Sequence, residues 1–411
     1  MTATAIHSLH IKHPINVASR EFTDHKWEYY RWLREHAPVY RGRMSILPVY
    51  FVSRFDDCLK LLGDPRFVRN RTTATGGGRR LPFPLPKTIQ ILGKSMIVED
   101  EPDHRRLRNL VHKAFTPRAL ERLVPRIERL SAELLAKAEP QGRVDLIPAY
   151  SLPIPVSVIA GMVGLTDDEM PEFRNRLRLL TSGYSAWSLL RTFFWDMRRL
   201  LRYIRQLIAN KRAHPGDDIL TALIQAEDQG ERLSENELIS MLYLLVVAGY
   251  ETTVHLITNS VVTLLTHPDQ LARLRAQPEL MESAIEEVLR FNGPVQGTKP
   301  AYATEDVTLH GVTIPKGAMV MPLVGAANRD PAAFENPDEF DIARSPNRHL
   351  GFGHGIHYCL GAPLARMETR IALTNLLTRN PNLRLAVDPS ELKLQNAPLW
   401  QRYVSLPVML G

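Results

Sequence analysis

Gly351-Phe352-Gly353-His354-Gly355-Ile356-His357-Tyr358-Cys359-Leu360-Gly361 is the stretch on which the reading of this chain turns. Its glycines let the backbone adopt positive φ and come close to a neighbouring group. Leu364, Met367 and Ile371 then recur at helical spacing, which predicts a helix beginning just beyond Cys359. The unpaired N–H groups and dipole of a helix start favour a thiolate over a thiol, and the thiolate is the form that binds metal. The only other cysteine, Cys58, lies in Phe55-Asp56-Asp57-Cys58-Leu59-Lys60-Leu61-Leu62, an amphipathic helical pattern. A small buried apolar residue is expected there. Two cysteines so far apart make neither a disulfide framework nor a structural zinc set.

Working outward, the 411 residues are 44% hydrophobic and 23% charged, an ordinary globular composition that excludes disordered and collagen-like chains. The formal charge is +7, but the arginines are spread through helical segments and no basic block resembles a nucleic-acid tail. The N-terminus carries no apolar run of signal or anchor length, and no later segment is an uninterrupted apolar span. The expectation is a cytoplasmic protein with no membrane span and no nucleic-acid partner. Residues 1–20 are weakly patterned. From 21 to 411 helical and strand patterns interleave without a linker, so one domain is expected.

Helices are predicted over 24–37 and 54–63, with short strands at 39–40 and 49–52 between them. Residues 70–95, with Gly76-Gly77-Gly78 and several prolines, read as a long loop of the kind that forms lids. From 103 to 280 the pattern is almost wholly helical. Ser234 with Glu237 forms a capping box opening a helix that runs to about Thr266, before Pro268. Its apolar middle, Leu242–Ala248, predicts burial on all sides. Beyond 295 a hairpin over Ala303–Ile314, a turn at Pro315-Lys316-Gly317, a strand over Ala318–Leu323, a coil from 328 to 355 and terminal strands are expected. The long helix is interrupted by Ala248-Gly249-Tyr250-Glu251-Thr252-Thr253. Glycine weakens a helix by about 1 kcal/mol, and a buried carboxylate needs a partner, so this segment calls for a functional reason.

The pattern Phe352-Gly353-x-Gly355-x-His357-x-Cys359-x-Gly361 resembles the cysteine-ligand loop of the cytochrome P450 family at every specified position. Ala248–Thr253 resembles that family's oxygen-activation motif. Asp64-Pro65-Arg66-Phe67, Asn328-Arg329-Asp330-Pro331 and Leu406-Pro407-Val408 also fall in family order, so the resemblance spans nearly the whole chain. It implies a mostly α, single-domain fold with small β-sheets, the haem lying between the long central helix and the cysteine loop and helix. Cys359 would ligate the iron, with Phe352, Gly353, Gly361, Ala248 and Gly249 around the cofactor. Thr252 would hydrogen-bond dioxygen and Glu251 would relay protons. His104 and Arg108, at i and i+4, and His357 would hold the propionates. Glu287-Val288-Leu289-Arg290, by itself a common surface pair, would join Arg344 in a buried network behind the cysteine. One departure stands out. Many family members carry a propionate-binding arginine just before the Ala303-Thr304-Glu305-Asp306 hairpin. This chain has Thr298-Lys299-Pro300-Ala301-Tyr302 there, with no arginine.

The resemblance implies a haem-thiolate monooxygenase that uses haem b and O2 on an apolar small organic substrate. No flavin or NAD fingerprint occurs in the chain, so electrons would come from a separate acidic ferredoxin or flavodoxin with its reductase. Arg105, Arg106, Lys113, Arg366 and Arg370 would steer that partner. Tyr184, Trp187, Phe193, Phe194 and Trp195 would cover the substrate channel. Leu244, Ala248, Val295–Thr298 and Pro398–Trp400 would line its pocket. Two rival functions share the motifs: a peroxide-using or isomerising thiolate-haem enzyme, and a non-catalytic haem sensor.

Overall fold

The first two strand signals merge into one hairpin, Val39–Met44 against Leu47–Val52, in a computed structural model that describes residues 11–77, 95–165, 169, 197–228 and 230–411. Packing groups the chain into two compact units. One comprises Met1–Gly78, Asn259–Leu360 and Val387–Leu406. The other comprises Arg79–Thr258, Gly361–Ala386 and Pro407–Gly411.

The first unit is built on a five-stranded sheet in the order Val39–Met44, Leu47–Val52, Met319–Pro322, Ala301–Ala303, Phe67–Val68. Side chains alternate between its faces, and both faces are covered. Val49, Phe51 and Met321 join Tyr30 and Leu33 in one core; Val52, Val320 and Ala303 join Phe55, Leu61 and Phe334 in another. Cys58 sits in the second core, fully buried, its Sγ donating to the Val52 carbonyl at 3.2 Å. Burial pushes this thiol's pKa up and keeps it protonated. The hairpin Val307–Leu309 with Val312–Ile314 turns at His310-Gly311, both at positive φ. Asn70 caps a short helix, Arg71–Thr75, at the start of the stretch that reads as a loop. Residues 78–94 of that stretch, and Tyr184, Trp187, Phe193, Phe194 and Trp195, lie outside the described residues.

The second unit is helical, with a three-stranded sheet of Arg384–Leu385, Pro407–Met409 and Arg143–Asp145. That last strand, and the short pair Glu227–Asp228 with Glu231–Arg232, interrupt the helical run expected from 103 to 280. Tyr150 Oη donates to the Ala372 carbonyl at 2.8 Å and shares a 2.6 Å bond with Ser131, to which Asn375 donates in turn. This thread ties helix Val124–Ala138 to helix Ala362–Arg379.

The central helix spans Glu235–Thr266, 32 residues, as the capping box predicts. Ser234 N donates to Glu237 Oε2 at 2.8 Å, and Glu237 N reaches Ser234 Oγ at 3.4 Å. By length and composition this helix could cross a membrane, but 56% of its apolar window is buried inside the protein, as in a core helix. Burial on all sides does not hold. Leu244 is half-buried, Ala248 is exposed and Thr252 is half-buried, a stripe at i, i+4 and i+8, and Tyr243, Leu245 and Val247 are half-buried as well. Apolar composition is compatible with lining a cavity as well as with filling a core.

Glu368 lies one turn before Ala372 and is 1% exposed, with no hydrogen-bond partner for Oε2. Burial alone holds its pKa well above the usual carboxylate range, so the neutral form is the folded one. Because the folded pKa is raised, this group's contribution is fully present at acid pH and is lost as pH rises through the folded pKa. Thermal unfolding followed from pH 5 to 9 should show stability declining at the alkaline end, and Glu368→Gln should flatten the decline. Identical slopes for both proteins would show that Glu368 is not held neutral.

Candidate active site

The cysteine loop is held by its own backbone. Gly353 N donates to the Leu350 carbonyl at 2.9 Å, Tyr358 N to Gly355 O at 3.1 Å, and Cys359 N to Phe352 O at 2.9 Å. Gly353 and Gly355 sit at φ of 75° and 71°, which L side chains rarely adopt. At Gly355 a Cβ would also stand 2.6 Å from the Leu62 carbonyl. A single turn, Gly355–His357, follows, and Cys359 is exposed. The helix Ala362–Arg379 starts three residues beyond it, with Gly361 as its N-cap. A Cβ at Gly361 would meet nothing within 4 Å, so packing within the protein does not explain that glycine.

Behind the loop lies a buried ion network. Glu287 and Arg290 side chains are both 0% exposed and paired in fork geometry, at 2.7 and 2.8 Å. Arg344 Nε donates to Glu287 Oε1 at 3.1 Å, and Asn347 Nδ2 donates to Oε2 at 3.1 Å. Arg290 spends its remaining N–H groups on the carbonyls of Asn328, Pro337 and Glu339. Arg344 donates to those of Glu335, Asn336 and Glu339. Asn328 Oδ1 in turn accepts from Leu350 N at 2.8 Å, one residue before the loop. The structure thus brings Glu287, Arg290 and Arg344 together, where the i, i+3 spacing alone suggested a surface pair.

In the second unit, helix Asp103–Ala114 carries His104, 1% exposed, and half-buried Arg108 one turn on. Burial, then the charge of Arg108, lowers the His104 pKa, so the neutral imidazole is favoured. On the central helix Thr252 Oγ1 donates to Ala248 O at 2.8 Å, and Thr253 to Gly249 O at 3.1 Å. Glu251 is half-buried, less enclosed than its mid-helix position predicts. A Cβ on Gly249 would come within 2.6 Å of buried Ile159, which accounts for glycine there. Elsewhere in the first unit Gln296 N bonds Leu399 O and Val295 bridges Trp400, placing two expected pocket walls side by side. The expected steering cations are partly neutralised: Arg105 pairs with Glu101 at 3.0 Å, and Arg106 with Glu237 and Glu231. Sequence reasoning missed Glu368; its signal was a carboxylate in register with Leu364 and Ala372 on an apolar helix face.

The loop itself suits a porphyrin iron: it presents one accessible soft sulfur on a rigid, glycine-shaped backbone. The cytochrome P450 family model matches residues 13–393. The chain belongs to the cytochrome P450 family. It is 42% identical over 398 residues to cytochrome P450 107B1 of Saccharopolyspora erythraea, covering 95% of this chain and 96% of that one. It is 37% identical over 405 residues to the cytochrome P450 monooxygenase PikC of Streptomyces venezuelae, covering 96% and 93%. The solved structure of the bacillaene polyketide synthase cytochrome P450 PksS of Bacillus subtilis superposes with a TM-score of 0.90 at 37% identity, covering 97% of this chain and 100% of that one. The P450 chain is therefore an oxidoreductase of the haem-thiolate monooxygenase class, and the family implies haem and O2.

Removing one member of the ion network tests its weight. Arg290→Ala leaves a carboxylate buried without its main partner, a loss of about 3–5 kcal/mol by analogy with other broken buried pairs. Urea unfolding of the variant should give a loss in that range. A loss under ~1 kcal/mol would mean that Glu287 is rescued by Arg344 and Asn347 alone.

Proposed function

We propose that this P450 inserts one atom of O2 into an apolar small organic substrate, the other leaving as water with two electrons and two protons consumed. Those electrons would come from a separate ferredoxin or flavodoxin and its reductase. Haem b, held through Cys359, supplies the oxygen chemistry when bound, and thiolate ligation donates electron density that favours O–O cleavage. The observation that carries the reading is the stripe Leu244–Ala248–Thr252, with Ala248 exposed, on a helix buried throughout Thr253–Leu264, next to a carboxylate at Glu251. Leu244 and Ala248 offer an apolar wall to substrate. Thr252 can turn its hydroxyl away from the Ala248 carbonyl and hold a proton on the open side. Glu251 can exchange that proton with solvent. His104, Arg108 and His357 would take the propionates, and Phe352, Gly353, Gly249 and Gly361 would leave room for the flat ring. Acidic redox partners would meet Arg105, Arg106, Lys113, Arg366 and Arg370.

We read the two units as parts of one domain within residues 21–411. Each is assembled from three separate stretches, and the central helix contributes to both.

The reduced protein exposed to carbon monoxide should show a strongly red-shifted Soret band that Cys359→Ser abolishes. A band unchanged by the substitution would refute thiolate ligation at Cys359. With a ferredoxin system and a turned-over substrate, Thr252→Ala should keep electron consumption but lower product formed per O2 consumed, by about tenfold or more. Unchanged coupling would favour a peroxide-using enzyme.

A further inference from the structure

The missing propionate arginine leaves a charge vacancy in the stretch Thr298–Ala303, and the sheet places another arginine across from it. Strand Phe67–Val68 pairs antiparallel with Ala301–Ala303, Phe67 facing Ala303 and Val68 facing Tyr302. Continuing that register by one residue sets Arg69 opposite Ala301. Residues directly opposed in an antiparallel pair project from the same face of the sheet. A long side chain at 69 therefore reaches the space that a side chain at 301 would serve. Ala301 is 3% exposed and contributes only a methyl group, whereas Arg69 is half-buried. The Arg69 guanidinium also donates to the Lys299 carbonyl, which directs it along the departing segment.

The charges around this edge point the same way. Lys299 reaches solvent yet is walled by protein, and burial followed by the charge of Arg69 lowers its ammonium's pKa. Burial raises the pKa of Tyr302, on the strand Ala301–Ala303, and the nearby charge of Arg71 offsets part of that rise. Arg69 and Lys299 are thus held close enough to repel each other, with Arg71 nearby. The acids next in sequence are engaged elsewhere: Glu305 with Arg66, and Asp306 with the Lys316 amide. Like charges brought together at a cost mark a place that takes an anion.

We propose that Arg69 replaces the missing arginine, holding one haem propionate from the strand opposite Ala301. A guanidinium matches a carboxylate in bidentate geometry, so a relocated arginine can do what Lys299 alone would do less well. The inference rests on the haem-thiolate reading above.

The test is the rate of haem transfer from the purified holoprotein to excess apomyoglobin. Arg69→Gln keeps a donor for the Lys299 carbonyl but removes the charge, and should speed haem loss on the order of tenfold. Arg69→Lys should fall between that variant and the parent. Arg66→Gln, whose side chain is committed to Asp64 and Glu305, should match the parent. Reconstitution with the dimethyl ester of haem, which has no propionate charge, should erase the difference between parent and Arg69→Gln. Parental haem loss in Arg69→Gln would overturn the proposal. So would an acceleration that persists with the ester, since that would mark a loosened fold. A parent protein with no thiolate-haem spectrum would instead overturn the reading on which the proposal stands.

Discussion

The Glu287 carboxylate is the group on which the rest of the first unit depends. It is wholly buried, a state that costs several kcal/mol unless charge and hydrogen bonds replace water. Arg290, Arg344, Asn347 and the Asp341 amide supply that replacement. Each arginine then crosses to carbonyls in the irregular coil, so the ion pair organises backbone that has no helix or sheet to satisfy it. Asn328 extends the same logic to Leu350, immediately ahead of the glycine loop. The position of Cys359 is thus set by electrostatics some seventy residues upstream in sequence, transmitted through coil that cannot slide.

Where local chemistry decides the outcome, the structure could be read in the sequence. Ser234 with Glu237 marks the start of the central helix, and the spacing after Cys359 marks the helix that follows. The glycines at 353 and 355 occupy left-handed backbone, as glycine is required to. Other features depend on contacts between distant residues. Glu287 and Arg290 have the spacing of a surface pair, and only the coil folded over them makes them a core. The strands at 39–44 and 47–52 read as two short fragments because Arg41, Gly42 and Arg43 break the alternation; cross-strand pairing restores them. Arg69 could not be singled out at all, because its significance comes from standing across from Ala301, 232 positions away. Composition misled at the central helix: an all-apolar stretch reads as core, whereas Ala248 is exposed and Leu244 only half-buried.

The threonines of the central helix show how one side chain can be both structural and available. Thr253, Thr258 and Thr263 are buried and donate to the carbonyls of Gly249, Val254 and Asn259, four residues back. In an apolar helix such back-bonding is the ordinary way to satisfy a hydroxyl. Thr252 makes the same bond to Ala248, but on the open stripe. For the buried three, rotating away would strand a donor in apolar surroundings at roughly 1–3 kcal/mol. For Thr252 a partner arriving on the open side compensates, and the net cost falls to about the difference between two hydrogen bonds, on the order of 1 kcal/mol or less. Exposure, rather than residue type, separates the hydroxyl that can take part in chemistry from those that only hold the helix together.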